Sequence, residues 1–372
     1  MDGTPRREIR YVDIGAQYAE ERAELLPIID RVMASGQYIF GPDIELLETE
    51  FAALCGTKHA VALNSGTDAL IFALAGFGIG PGDEVITPPN SFVASAAAVV
   101  HLGATPVFVD VQPDQNIDPA RIESAITRRT KAIMPVHLTG RICDMHPIRD
   151  IAQRHGLKII EDAAQAVGSR YDGMIAGSLG DAGCFSTHPL KNLNAAGDGG
   201  LVTTDDDALA AFLRGHRNHG LLDRNTVGRF GYVSRMDSLQ AAILRYRLGR
   251  LDSIVARRRA NAARYRARLD PALVFAPPDR NIEFNTVHTF VVQVDRRDAL
   301  QKHLAEQGIG TAIHYPVPIH LQPAAAALGH KRGDFPVTER QAERILTLPV
   351  HPGLTAEDVD RVADVVNGFL SR

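Results

Sequence analysis

Lys191 is notable for its surroundings. It lies in DAGCFSTHPLKNLNAAGDGGLVTTDD, after a short apolar strand that leads to Ser186 and His188 and before a glycine-rich return. Lysine is the only side chain that forms an imine with an aldehyde, and burial lowers its pKa toward nucleophilic and base chemistry. A solitary lysine is most often a solvated surface residue. Here small residues, a serine and four glycines crowd one long cation, which argues against that reading.

Two further segments complement it. Asn64-Ser65-Gly66-Thr67 ends the apolar run HAVALN and opens SGTDALIFALAGFGIG. Free amides and the helix dipole make such a turn an anion site, and Gly66 permits close backbone approach. The same residues suit an ordinary helix start capped by Ser65 or Thr67. Glu161-Asp162-Ala163-Ala164-Gln165 follows the apolar strand LKII, so its acids sit at the carboxyl edge of a sheet, where open α/β sheets bind ligands. A carboxylate there could hold a cationic ring nitrogen, or Asp162 could simply cap the next helix. Together the three segments describe a site for pyridoxal 5′-phosphate (PLP): amides and a serine for phosphate, an acid for the pyridine nitrogen and a lysine for the aldehyde.

The elements that must position these residues follow a regular rhythm. PDIELLETEFAALCG places Leu46, Leu47, Phe51 and Leu54 on one helical face, with Gly56 as the stop. DEVITPP, SFVASAAAVVHLG, TPVFVDV, DPARIESAI, KAIMPVHLTG, HPIRDIAQRHG and LKIIEDAAQ then alternate strand and helix. That alternation predicts a mainly parallel sheet covered on both faces. The texture changes after SRMDSLQAAILRYRLGRLDSIVARRRANAARYRARL, read as one long arginine-rich amphipathic helix. Strand HTFVVQVD, helix RRDALQKHLAEQG, strand GTAIHYPVP and helix AEDVDRVADVVNGFL follow as a smaller α+β unit. The reading is an α/β fold with a large domain over residues 1–250, including an N-terminal helical segment, and a small domain over 251–372.

Composition narrows the function. The 372 residues suffice for two lobes sharing a cleft. Forty basic and 44 acidic residues give a net charge of -4 without a long run of either sign, which disfavours nucleic acid as a partner. Cys55, Cys143 and Cys184 are an odd, scattered set that suits a reducing compartment. No stretch approaches the ~18 apolar residues of a membrane span, and the start lacks the apolar core of a signal peptide. The expectation is a soluble cytoplasmic protein.

The motifs, in their order, resemble the DegT/DnrJ/EryC1/StrS family of PLP-dependent sugar aminotransferases, which share the fold-type I architecture of aspartate aminotransferase. NSGTDAL, PPNSFVASA, GATPVFVDV, PVHLTG, EDAAQAVGS, STHPLKNLNAAGDGG, SRMDSLQAA and HYPVPIHLQP span nearly the whole chain. The resemblance implies a seven-stranded, mainly parallel sheet and a homodimer with a shared active site. It implies that Lys191 is the Schiff-base lysine, that Asp162 pairs with the pyridine nitrogen and that Gln165 lies beside the 3-hydroxyl. Ser65, Gly66, Thr67 and Ser186 would hold the phosphate, and Phe92 would stack on the ring. His188, His314, Tyr315 and His320 would line the substrate cleft, His188 with a catalytic role as well. Many relatives carry an asparagine two residues before the position of Arg235, reaching the neighbouring subunit's phosphate. Val233 stands there in this chain and cannot donate, so Ser234 is the expected substitute.

The implied reaction moves the amino group of L-glutamate to a keto sugar. KNLNAAGDGG and SRMDSLQAAIL resemble members that act at C3 of 3-keto sugar nucleotides. HPLKNLNAAGDGG also resembles transaminases of an 8-oxo octulosonate on the lipopolysaccharide route, and a 4-keto sugar nucleotide is a third alternative. A PLP-dependent sugar dehydratase would carry histidine in place of Lys191. A non-catalytic PLP-binding regulator would show no donor turnover, and no DNA-binding helix-turn-helix or basic patch is evident. Cys143 with His146, and His216 with His219, are isolated pairs short of a zinc site, so no metal is expected. Gly76, Gly78, Gly80 and Gly82 read as a turn outside the dinucleotide fingerprint.

Overall fold

The computed structural model describes residues 7–372. Helices α1 (Ile14–Ser35) and α2 (Pro42–Cys55) come first, each stopped by a left-handed glycine, Gly36 and Gly56. Strand β1 (His59–Leu63) turns into α3 (Gly66–Gly76). The alternation continues through β2 (Glu84–Thr87), α4 (Ala94–His101), β3 (Thr105–Phe108), α5 (Pro119–Ile122), β4 (Thr130–Ile133), α6 (Met145–His155) and β5 (Lys158–Asp162). The short strands β6 (Arg170–Tyr171) and β7 (Met174–Ile175) lead to β8 (Ala182–Ser186), β9 (Gly200–Thr204), α7 (Asp207–His216) and α8 (Ser238–Leu248).

The seven-stranded sheet has the order β1-β9-β8-β5-β4-β2-β3. Strands β3, β2, β4, β5 and β8 pair in parallel, and β9 is antiparallel to both its neighbours. Val85, Ile86, Ile133 and Ile160 are inaccessible to solvent, as strands sandwiched between helices require. One face packs Leu47, Phe51, Ile148, Phe185 and Leu244. The other packs Leu70, Phe72, Val99 and Leu213.

The C-terminal unit contains α9 (Leu251–Arg268), β10 (Glu283–Phe284), β11 (Phe290–Gln293), α10 (Arg297–Glu306), α11 (Pro336–Arg344), β12 (Ile345–Leu348) and α12 (Ala356–Leu370). Strands β11 and β12 pair antiparallel, Phe290 opposite Leu348, over a third core that includes Tyr265, Val292, Leu300 and Val362. Helix α9 joins the two lobes physically. Its Leu251 and Val255 pack in a core of the large sheet, and its Ala262 and Tyr265 in the C-terminal core.

Three features differ from the sequence reading. The arginine-rich segment is two helices, broken at Gly249 and Arg250, where glycine weakens the helix and the two halves turn to different cores. GTAIHYPVP forms no strand. Ala312 makes a single bridge to Thr347, after which Pro316 and Pro318 withhold backbone donors, and ILTL supplies the strand instead. Ile9 lies in the C-terminal core and donates to the Gly308 carbonyl at 2.9 Å, so the beginning of the chain crosses to the lobe assigned to residues 251–372.

Candidate active site

A cavity of about 460 Å³ opens between the large sheet and the C-terminal unit. Its floor comes from strand ends, where side chains are held by the sheet rather than by flexible loops. Ser65, Gly66 and Thr67 line it at the β1–α3 turn. Ser65 is extended and its hydroxyl accepts from Asp68 N at 3.1 Å, so the ordinary capping role is real. That role leaves the first amides of α3 unused by the helix and available to an anion. Close packing fixes the turn. A Cβ on Gly66 would lie 2.6 Å from the Ser186 Cβ, and one on Gly200 would lie 2.2 Å from the Ser65 carbonyl oxygen. The glycine-rich return is therefore a steric requirement of the anion turn.

Glu161 and Asp162, adjacent on β5, point to opposite faces, as strand neighbours must. Asp162 lines the cavity, accepting from Ser95 Oγ at 2.7 Å and from Ala164 N at 3.2 Å. Burial raises its pKa, against the lowering effect of those hydrogen bonds and of Lys191. Glu161 is fully buried on the other side. It accepts from Gly177 N, Leu179 N and Gly180 N at 2.8 Å each and pairs with His137 Nε2 at 2.9 Å. Only one of the two acids can serve chemistry.

Lys191 follows β8 on a turn closed by its own amide donating to the His188 carbonyl at 2.8 Å. Its ammonium is removed from water, which lowers its pKa to about 8, while Asp162 opposes that shift. Ser186 and His188 line the same wall. Gln165 is buried and lines the cavity, its Oε1 accepting from Thr139 N at 2.8 Å. Phe92 is 56 % exposed at the cavity edge, its ring centroid 5.8 Å from that of Tyr315. His314, bonded to Thr347 Oγ1 at 2.9 Å, is depressed to about 4 by burial and then by Lys191, so it is neutral at physiological pH.

His320 lies elsewhere, and Ser234, expected at the neighbouring subunit's phosphate, bonds within its own chain. His320 is 2 % exposed and pairs with Glu339 at 3.0 Å, packed against Phe335 and outside the residues that line the cavity. The one-turn helix after Pro318 swings it away from His314 and Tyr315. Ser234 is inaccessible and does not line the cavity of its own chain. Its hydroxyl bonds Asn64 Oδ1 at 3.1 Å, behind the anion turn.

The cavity also holds residues that the sequence reading did not single out: Tyr11, Asp198, Arg258, His288 and His351. They come from segments distant along the chain, so local motifs could not reveal most of them. Arg258 did carry a signal, because it occupies the buried face of α9 together with Leu251, Ile254, Val255, Ala262 and Tyr265. An arginine in apolar register is worth noticing in any amphipathic helix.

The chain belongs to the DegT/DnrJ/EryC1/StrS aminotransferase family, whose model matches residues 19–367. It is 46 % identical to the dTDP-3-amino-3,4,6-trideoxy-alpha-D-glucose transaminase of Streptomyces venezuelae, covering 99 % of this chain and 97 % of that one. It is 45 % identical to the UDP-N-acetyl-3-dehydro-alpha-D-glucosamine 3-aminotransferase of Acidithiobacillus ferrooxidans, covering 99 % of each chain. The crystal structure of S. venezuelae DesV superposes with a TM-score of 0.96 at 46 % identity, over 99 % of this chain and 100 % of that one.

Proposed function

We propose that this protein is a PLP-dependent aminotransferase that moves the amino group of L-glutamate to C3 of a 3-keto sugar nucleotide. The observation that carries the reading is the pairing of Lys191, held near pKa 8, with the buried Asp162 in one cavity that also contains an anion turn.

The residues fit the cofactor chemically. Asp162 is a buried carboxylate whose direct hydrogen-bond donors among the described residues are the neutral Ser95 hydroxyl and the Ala164 amide, so a cationic ring nitrogen would supply the charge it lacks. The Gly66 amide and the Ser65–Thr67 turn, backed by Ser186, would hold the phosphate. Phe92 would cover a ring face and Gln165 would lie beside the 3-hydroxyl. When bound, PLP supplies an aldehyde that takes up the amino group and a ring that accepts the electron pair left at a deprotonated carbon.

Lys191 then has two tasks. It would hold the cofactor and, as a free amine, would move a proton at the substrate carbon. Burial suits both, because a pKa near 8 leaves a usable fraction of free amine at neutral pH. Neutral His314 borders the lysine without adding a competing cation, and His188, which lines the same cavity, would face the substrate. The relatives named above aminate C3 of dTDP- and UDP-linked sugars, which supports the choice of C3 over C4 or an octulosonate.

We infer a homodimer as the working form. Phe230 is 97 % exposed and Leu222 74 %, and Tyr232, Val233 and Val227 are each more than half exposed along the same loop. Phe40 lies under Arg217 and Arg235, which ties this apolar loop to residues 38–40. A second copy would cover such a surface. The three cysteines are buried and unpaired, which suits a reducing compartment and supports a cytoplasmic location. Among the described residues no helix is long and apolar enough to cross a membrane.

The test is direct. Borohydride reduction of the PLP-loaded protein followed by peptide mapping should place a pyridoxyl group on Lys191. L-Glutamate should bleach the cofactor's visible band, and amine should appear in a 3-keto sugar nucleotide in preference to a 4-keto analogue. A visible band indifferent to glutamate, or unimpaired turnover by Lys191→Ala, would refute the reading.

A further inference from the structure

Helix α9 carries three successive arginines, and they meet different surroundings. Arg257 forms an ion pair with Glu20 at 3.2 Å. Arg259 donates to the Asn285 carbonyl at 2.7 Å and lies over the Phe284 ring. Arg258 points inward, 7 % exposed, on the apolar stripe of the helix. Nη1 donates to the His288 carbonyl at 3.0 Å, and Nε is buried without any partner.

Among the described residues Arg258 has no ion pair, and the only charge-bearing group that favours its cation is the Tyr11 phenol. That phenol is itself pushed up to about 12 by burial, so it stays neutral. Burying a guanidinium without a counter-ion costs several kcal/mol, and a Leu or Met would fill the stripe without that penalty. The penalty is visible in the arginine, whose pKa falls to about 10 for that reason.

Its position in the cavity suggests what offsets this cost. Arg258 lines the active-site cavity together with Lys191, and also a smaller adjoining cleft that shares both residues. Among the described residues neither Asp198 nor any other carboxylate acts on Arg258, and His288, within electrostatic range of both cations, is held neutral by burial and adds no further positive charge. Asp162, the carboxylate reserved for the ring nitrogen, is not among the groups that act on Arg258. One planar, singly charged acceptor matches the free edge of a guanidinium.

We propose that Arg258 binds a carboxylate of the amino donor, holding L-glutamate so that its amine is delivered at Lys191. This rests on the aminotransferase reading and adds the residue that recognises the donor. Tyr11, a neutral phenol that lines the same cavity within electrostatic range of Arg258, is the second donor to that carboxylate.

The test measures binding with the PLP-loaded enzyme and glutarate, a dicarboxylate that lacks the reacting amine. Calorimetry should show glutarate affinity falling roughly 30-fold or more in Arg258→Met, with a smaller loss in Arg258→Lys, which keeps charge but not the fork. The KM for glutamate should rise far more than the KM for the keto sugar nucleotide. Arg258→Met should unfold no more readily than wild type, because it removes an uncompensated buried charge from an apolar stripe.

Unchanged glutarate affinity in both variants would overturn the proposal while leaving the aminotransferase reading intact. So would a loss of UDP or dTDP affinity equal to the loss for glutarate, which would make Arg258 a phosphate ligand. Marked destabilisation of both variants would assign it a structural role and also overturn the proposal. Failure of the wild type to transfer any amino group from glutamate would instead refute the function itself, and the glutarate measurement would still report on the carboxylate site.

Discussion

A nucleophilic lysine must be neutral, and removing the Lys191 ammonium from water shifts it toward that form. With a pKa of about 8, roughly a tenth of the amine is free at pH 7, against a few parts in ten thousand at the ordinary value. The rate at which the apoprotein captures PLP should therefore climb with pH and level off above about 8, which stopped-flow absorbance would follow. A plateau only beyond pH 10 would show an unperturbed lysine. The same shift has a cost in stability. Because the folded pKa lies below the unfolded one, the chain gains a proton on unfolding between about pH 8 and 10.5, and this group's penalty is full below that window. Lys191→Met should thus stabilise the apoprotein at pH 7 by roughly 1–3 kcal/mol, read from urea unfolding. Lys191, Asp162 and Ser65–Thr67 could be read from the sequence because each sits in a short contiguous motif at a strand end. His288, Tyr11 and His351 could not, since only the tertiary fold brings them to the lysine. His320 was assigned to the cleft by the resemblance alone, and the one-turn helix after Pro318 pairs it with Glu339 instead.

Between the residues and the fold, the site depends on two devices in the sheet. One is the glycine return of β9, which lets its backbone press against the Ser65 turn. Gly200→Ala places a Cβ 2.2 Å from a backbone oxygen that cannot rotate away, so the turn must shift. PLP affinity should fall at least tenfold, roughly 1.4 kcal/mol or more, while the sheet survives; fluorescence titration would measure it. Unaltered affinity would mean the turn does not hold the phosphate. The other device is Glu161, which gathers three amides of the Gly177–Gly180 loop and His137 on the face away from the cavity. Glu161→Ala strands those buried donors, an expected loss of roughly 3–5 kcal/mol in denaturant unfolding. A mutant within 1 kcal/mol of wild type, by the same ~0.5–1.5 kcal/mol scale per net hydrogen bond, would show that water replaces the carboxylate. The alternating strands and helices of the sheet were legible because apolar periodicity changes at each boundary. Strand β12 was not, because ILTL follows α11 directly at Arg344 with neither glycine nor proline to mark the change.

At the scale of the whole molecule, the unfinished surface adjoins the site. The exposed loop that carries Leu222, Val227, Phe230 and Val233 ends at Ser234, and Ser234 is bonded to Asn64 immediately before the anion turn. A partner seated on that loop would therefore brace the turn from behind while covering the apolar side chains. Val233 itself offers no hydrogen bond, so in this chain the loop's contribution across the interface would be burial rather than a side-chain donor. Phe230 is the sharpest probe, since at 97 % exposure it makes almost no contact within its own chain. Phe230→Glu should leave the fold and its unfolding midpoint within roughly 0.5 kcal/mol, as for a surface substitution. It should instead halve the mass in sedimentation at micromolar concentration and weaken PLP retention on dialysis. Both changes together would link assembly to the cofactor through the Ser234–Asn64 contact. A halved mass with full PLP retention would separate them and make the anion turn self-sufficient. A wild type that sediments as a monomer would remove the dimer from the account and leave the apolar loop to another partner.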